Sequence, residues 1–134
     1  MPVHFRWKDD KQRAITYIVD GDWNWKDYHQ AVRASAFTLA RVDHPVDSVI
    51  DLRQSARADL PAGAPAHLRS FGRVSQPCLT GRAAVIGLPT LAAARLDLGP
   101  GRTLPTADGF AQFVDSEAEL ERLLAEWAAD PPAT

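Results

Sequence analysis

Residues 46–61 read VDSVIDLRQSARADLP. The run from Val46 to Leu52 is of strand length and rich in β-branched residues, and it spills after Asp51 into a polar loop that reaches Pro61. What flanks it decides the fold. Upstream, DWNWKDYHQAVRASAFTLARVDHP (Asp22 to Pro45) carries Trp25, Tyr28, Val32, Ala36 and Leu39 at helical intervals, with Lys26, Arg33 and Arg41 mostly off that face. Asn24 is placed to cap this helix, Asp27 puts a negative charge in its first turn, and Pro45 marks its end. Downstream, PAGAPAHLRSFGRVSQP predicts a second helix that starts near its prolines and fails between Gly72 and Pro77. A strand with helices on both sides belongs to a mainly parallel sheet joined by right-handed crossovers.

The remaining segments extend the same pattern. Val3 to Asp9 alternates apolar and polar residues, and Arg13 to Gly21 is β-branched and aromatic, so the two predict a hairpin. Gly81 to Pro89 reads as a buried strand, TLAAARLDLG as a short helix ending at Gly99, and Pro100 to Gly109 as a proline-stiffened loop. Phe110 to Asp115 predicts the last strand. Ser116 caps a final helix with Glu119 completing a capping box, and Leu120, Leu123, Leu124 and Trp127 form its buried stripe. The expectation is a single α/β domain spanning residues 1–134, with a core from about 3 to 128 and a flexible tail over 129–134. It has a mostly parallel sheet of about five strands, an antiparallel edge from the N-terminal hairpin, and four helices.

Composition narrows the function. With 46% hydrophobic and 24% charged residues in 134, the chain has the balance of a globular domain, and its net charge of −2 gives no pull towards nucleic acid. No run approaches the roughly 18 apolar residues of a membrane span, and MPVHFRWKDD lacks the apolar core of a signal peptide, which reads as cytoplasmic. Cys78 is the lone cysteine and reads as an inert thiol, buried or half-buried.

The element order, with YIVDGDWNWKDYHQAV (17–32), VIDLR (49–53) and FVDSEAELERLL (113–124), resembles the STAS domain superfamily, particularly its SpoIIAA-like bacterial branch, over about residues 3 to 128. In well-studied members an Asp-Ser-Ser-Gly-like stretch follows the middle strand, and a serine in it is phosphorylated by an anti-sigma-factor kinase. Asp59 falls where the acid of that stretch would lie, but Leu60, Pro61, Ala62 and Gly63 follow, so the phosphorylatable serine is missing. Ser55, four residues earlier, is the candidate substitute. The branch also resembles the SEC14-like lipid carriers in architecture, which implies an apolar pocket lined by Trp23, Trp25, Phe37 or Phe71.

No catalytic constellation stands out. His4, His29, His44 and His67 have no metal-ligand spacing, no serine or cysteine sits in a nucleophile motif, and Gly99 to Arg102 is not a phosphate loop. No metal, cofactor or catalytic residue is expected. The uneven feature is charge: Arg53, Arg57, Arg69, Arg73, Arg82 and Arg95 face only Asp59 between residues 53 and 95, whereas the last helix is acidic. Arg53, Ser55, Arg57 and Asp59 in the loop, with Arg69 and Arg73 on one face of the next helix, form a candidate anion or partner site at the carboxyl end of a strand. The expected function is a non-enzymatic regulatory module that binds another protein through this loop and helix, with homo-oligomerisation through opposite charges as a further possibility. The alternative is a small-molecule or lipid binder with an internal apolar pocket.

Overall fold

The computed structural model describes residues 2–96, 98 and 101–130. Val3–Trp7 (β1) and Ala14–Gly21 (β2) form the expected antiparallel hairpin, with Val3 opposite Val19 and Trp7 opposite Ile15. The chain then crosses through Trp25–Ala34 (α1) and Ala36–Leu39 (α2) to Val46–Ser55 (β3), which runs parallel to β2. Ala64–Leu68 (α3) leads to Leu79–Ile86 (β4), parallel to β3. Thr90–Arg95 (α4) and a short strand, Thr103–Pro105 (β5), precede Phe110–Val114 (β6), which is parallel to β4 and antiparallel to β5. Glu117–Ala129 (α5) completes one sheet in the order β1-β2-β3-β4-β6-β5.

The protein is therefore a single α/β domain with a six-stranded mixed sheet. Successive side chains of a strand point to opposite faces, and the central strands are apolar on both. In β3, Ile50 and Leu52 join the larger core, with Trp23, Trp25, Tyr28, Leu68 and Phe71, while Val49 joins the smaller core under α5, with Leu120, Leu123 and Trp127. Val46 to Leu52 is thus buried throughout, with Asp47, Ser48 and Asp51 as the polar members of the strand.

Local capping signals hold fully at α1 and in half at α5. Asn24 Oδ1 accepts from the Asp27 N–H at 2.9 Å and the Asp27 carboxylate accepts from the Asn24 N–H at 3.0 Å, a complete capping box. The box expected at α5 is only half formed. Ser116 Oγ accepts from the Glu119 N–H, but the Glu119 carboxylate reaches the N–H of Asp115 instead of Ser116.

Other expectations are corrected. The first helix is interrupted at Ser35, whose hydroxyl bonds the Val32 carbonyl at 2.7 Å and the Tyr17 hydroxyl at 2.8 Å, the back-bonding by which serine loosens a helix. It ends at Leu39 rather than Pro45, in a turn closed by the Val42 N–H on the Leu39 carbonyl. The second helix stops at Leu68, and the chain turns at Gly72 with φ +69°, where a Cβ would lie 2.9 Å from the Gly81 carbonyl oxygen. The added strand, β5, lies inside the segment read as a loop, because a three-residue edge strand ending in Pro105 carries no periodic signal. The helix α4 ends at Arg95; its expected terminus at Gly99 and the tail from Pro131 to Thr134 lie outside the described residues. No helix among the described residues is long and apolar enough to cross a membrane.

Candidate functional site

The parallel strands β2, β3 and β4 end on one side of the sheet, and the segments that follow them form a common rim, where open α/β sheets collect ligands. The six residues singled out in sequence do not converge there. They fall into separate groups.

Arg53 lies on the α5 side of the sheet. Its Nε and Nη2 donate to the two Asp51 carboxylate oxygens at 3.0 and 2.8 Å, and its Nη1 pairs with Glu117 at 2.9 Å. Burial alone would raise the Asp51 pKa, but the bonds from the Arg53 side chain and N–H outweigh it and hold this carboxyl below its ordinary value. Gly87 presses on the same turn: its φ is +85°, and a Cβ there would sit 2.7 Å from the Arg53 nitrogen.

Ser55 and Arg57 form the second group, with the segment after β2. The Ser55 hydroxyl accepts from Trp23 Nε1 at 2.9 Å and from the Arg57 N–H at 3.2 Å, while Arg57 Nε donates to the Trp23 carbonyl and Nη2 pairs with Asp22 at 3.1 Å. Ser55 is thus a brace for the loop. Arg53 and Arg57 are both paired with carboxylates of the same chain, which explains why an arginine-rich sequence does not produce a free basic patch at this point.

Asp59 forms the third group, ion-paired with Arg95 of α4. Beside that pair lies a groove of about 200 Å³ walled by Leu60 to Pro65 on one side and by Ala92, Arg95 and Leu96 on the other. Arg69 and Arg73 stand apart, at and beyond the end of α3, and so do not share a helix face; Arg69 offers its carbonyl to the Ala107 N–H. Among the described residues, neither guanidinium makes an ion pair.

The loop is held from below by residues that sequence spacing does not connect. Trp25 Nε1 donates to the Pro61 carbonyl at 3.1 Å, and the indole stacks on the His67 imidazole with centroids 4.7 Å apart and planes 11° from parallel. His67 Nδ1 in turn meets His29 Nε2 at 2.8 Å. No motif links two histidines at a separation of 38 residues; only the crossover from α1 through β3 to α3 brings them together. Two histidines are short of a metal site, and among the described residues there is no group of three metal-binding side chains.

The aromatic residues named for an apolar pocket divide. Trp23, Trp25 and Phe71 are buried in the core, at 1%, 5% and 0% exposure, whereas Phe37 projects from α2 at 83%. Cys78 is buried with its thiol on the Leu39 carbonyl, and burial raises its pKa, as suits an unreactive thiol. In comparison with known proteins, the chain matches no protein-family model, no curated protein and no solved structure.

The histidine pair yields a pH prediction. Burial, then the proximity of His67 and Arg33, lowers the His29 pKa below 6.5. The unfolded chain therefore binds more protons than the folded one as pH falls through 6.5, and stability must decline in that window. Asp51 and Glu117, whose pKa values are lowered, weaken the fold only further down, below 3.8 and 4.5. Thermal melts between pH 7 and pH 5 should show a falling midpoint, with the slope reduced in His29→Gln. A flat profile for the parent protein would contradict the coupling.

Proposed function

We propose that the protein is a non-enzymatic, STAS-like regulatory module that binds another protein through the loop from Arg53 to Gly63, with α3 and α4 as the flanking walls. The observation that carries this reading is the groove beside the Asp59 and Arg95 pair, lined mainly by small and apolar residues. Its floor is pre-set. Trp23 and Trp25 bond the loop at Ser55 and Pro61, and Arg57 of the loop donates to the Trp23 carbonyl, so docking does not have to order the chain first.

The occupant proposed is an apolar anchor side chain of the partner, with polar neighbours meeting the paired charges at the rim, the division of labour found at protein interfaces. Phospho-switching has less support, because both contacts that Ser55 Oγ accepts hold the loop. The lipid-binding alternative also has less support, because Trp23, Trp25 and Phe71 are packed into the core.

Ala62 is exposed and lines the groove, so Ala62→Trp fills the groove without entering the core. Affinity enrichment from the source cell extract, with the parent protein and this variant side by side, tests the reading. A stoichiometric partner retained by the parent and by Arg41→Glu, but lost with Ala62→Trp, is the expected result. Enrichment that is indifferent to Ala62→Trp overturns the placement, and the absence of any stoichiometric protein overturns the function.

A further inference from the structure

A second cavity, of about 70 Å³, lies between α1, β3 and the segment around Ser70 to Leu79, away from the groove at Asp59. Its polar lining comes from Tyr17, Tyr28, His29, Ser48, Ser70 and Arg73, and none of its lining residues is acidic. Tyr28 is 3% exposed and Ser48 5%, and among the described residues neither hydroxyl has a hydrogen-bond partner. The unpartnered hydroxyls sealed from all solvent are those of Thr16 and Thr106. Those of Tyr28 and Ser48 are not among them, and both residues line the cavity.

Buried hydroxyls normally find partners, because leaving one unpaired forfeits its hydration without return. Here two residues with unpaired hydroxyls line one small space, and both hydroxyls can donate. Arg73, at the rim, is exposed and among the described residues has no carboxylate partner, so the space is positive on one side. Tyr17 and Ser70 already bond Ser35 and the His67 carbonyl, which fixes the walls. A volume of 70 Å³ is about twice a water's share of the liquid, roughly 30 Å³, which suits the two oxygens of a carboxylate head.

We infer that this cavity binds a small carboxylate, whose oxygens accept from the Tyr28 and Ser48 hydroxyls and whose charge faces Arg73. The inference is independent of the protein-binding groove, since the two share no lining residue. His29, also on the wall, supplies the readout: an anion beside it favours the imidazolium and opposes the burial that lowers its pKa.

The test is an NMR titration of the His29 and His67 ring resonances with acetate, with inorganic phosphate as the tetrahedral comparison and chloride to hold ionic strength. Saturable shifts with acetate, a higher His29 pKa at saturation, and binding weaker by about tenfold or more in both Arg73→Ala and Tyr28→Phe are expected. Arg73 is exposed, so that variant remains folded and decides the question if Tyr28→Phe does not. The inference is overturned if acetate shifts neither histidine beyond chloride, as water alone in the cavity would give, if phosphate binds and acetate does not, or if the shifts survive Arg73→Ala.

Discussion

An alanine at position 25 is expected to lower folding stability by about 3–5 kcal/mol, the range for emptying a buried aromatic site. Trp25 is 5% exposed and touches four rings: Trp23 edge-on at 4.9 Å, Tyr28 edge-on at 6.1 Å, Phe71 at 6.0 Å and His67 in a stack at 4.7 Å. Its Nε1 also satisfies the carbonyl of Pro61, a buried residue. Trp25→Ala therefore removes packing and orphans an acceptor together. Trp25→Phe isolates the smaller part, because it keeps a ring in the site and loses the N–H, and it should lose about 1–3 kcal/mol. Urea unfolding of the three proteins gives the comparison, and a loss below about 1 kcal/mol for Trp25→Ala would contradict its role as the pin under the loop. The same pair tests the groove: Trp25→Ala releases Pro61 and should abolish partner binding even where the variant is folded, whereas Trp25→Phe should weaken it less.

The second large effect is expected on the opposite face of the sheet. Asp47 is 5% exposed, and its carboxylate accepts from Arg82 Nε at 2.9 Å and from the Thr80 hydroxyl at 2.6 Å. Arg82 goes further, donating Nη1 to the Asp130 carbonyl and Nη2 to the Trp127 carbonyl, and its guanidinium lies 5.3 Å from the Trp127 ring centroid. One side chain thus neutralises a buried acid and ties the carboxyl end of α5 to the sheet. Arg82→Ala should cost about 3–5 kcal/mol, because it strands the Asp47 charge in a site that water hardly reaches. Asp47→Val combined with Arg82→Leu should recover much of that loss, since the penalty belongs to the unpaired charge and replacing both partners removes it. Denaturant midpoints decide this: a double variant no more stable than Arg82→Ala would mean that the contacts with α5, not the stranded charge, dominate.

How much of this was legible varies with the distance over which each signal acts. The Asn24 cap and the stripe of Leu120, Leu123, Leu124 and Trp127 are set within one or two helical turns, and both occur as read, whereas the capping box read at Ser116 forms only in half. The break at Ser35, where the hydroxyl back-bonds the Val32 carbonyl, was not read, and the Tyr17 hydroxyl that meets it lies 18 residues away in sequence. The position of the loop was legible, but the pairing of its charges was not. The loop after β3 does sit at the carboxyl rim, yet Arg53 is committed to Asp51 and Glu117, Arg57 to Asp22, and Arg69 and Arg73 lie elsewhere.

By itself the sequence determined the order of strands and helices apart from β5 and the break at Ser35, together with the parallel core of the sheet and the faces that had to be buried, because these follow from periodicity and from connections that chain geometry permits in one hand. Only the tertiary structure decided which charges remain available. Arg57 meets the Trp23 carbonyl across 34 residues and His29 meets His67 across 38, and such encounters depend on where the crossovers return the chain. An arginine exposed in one register is an internal strut in the next, and the free energy that separates them comes from partners that no local pattern identifies.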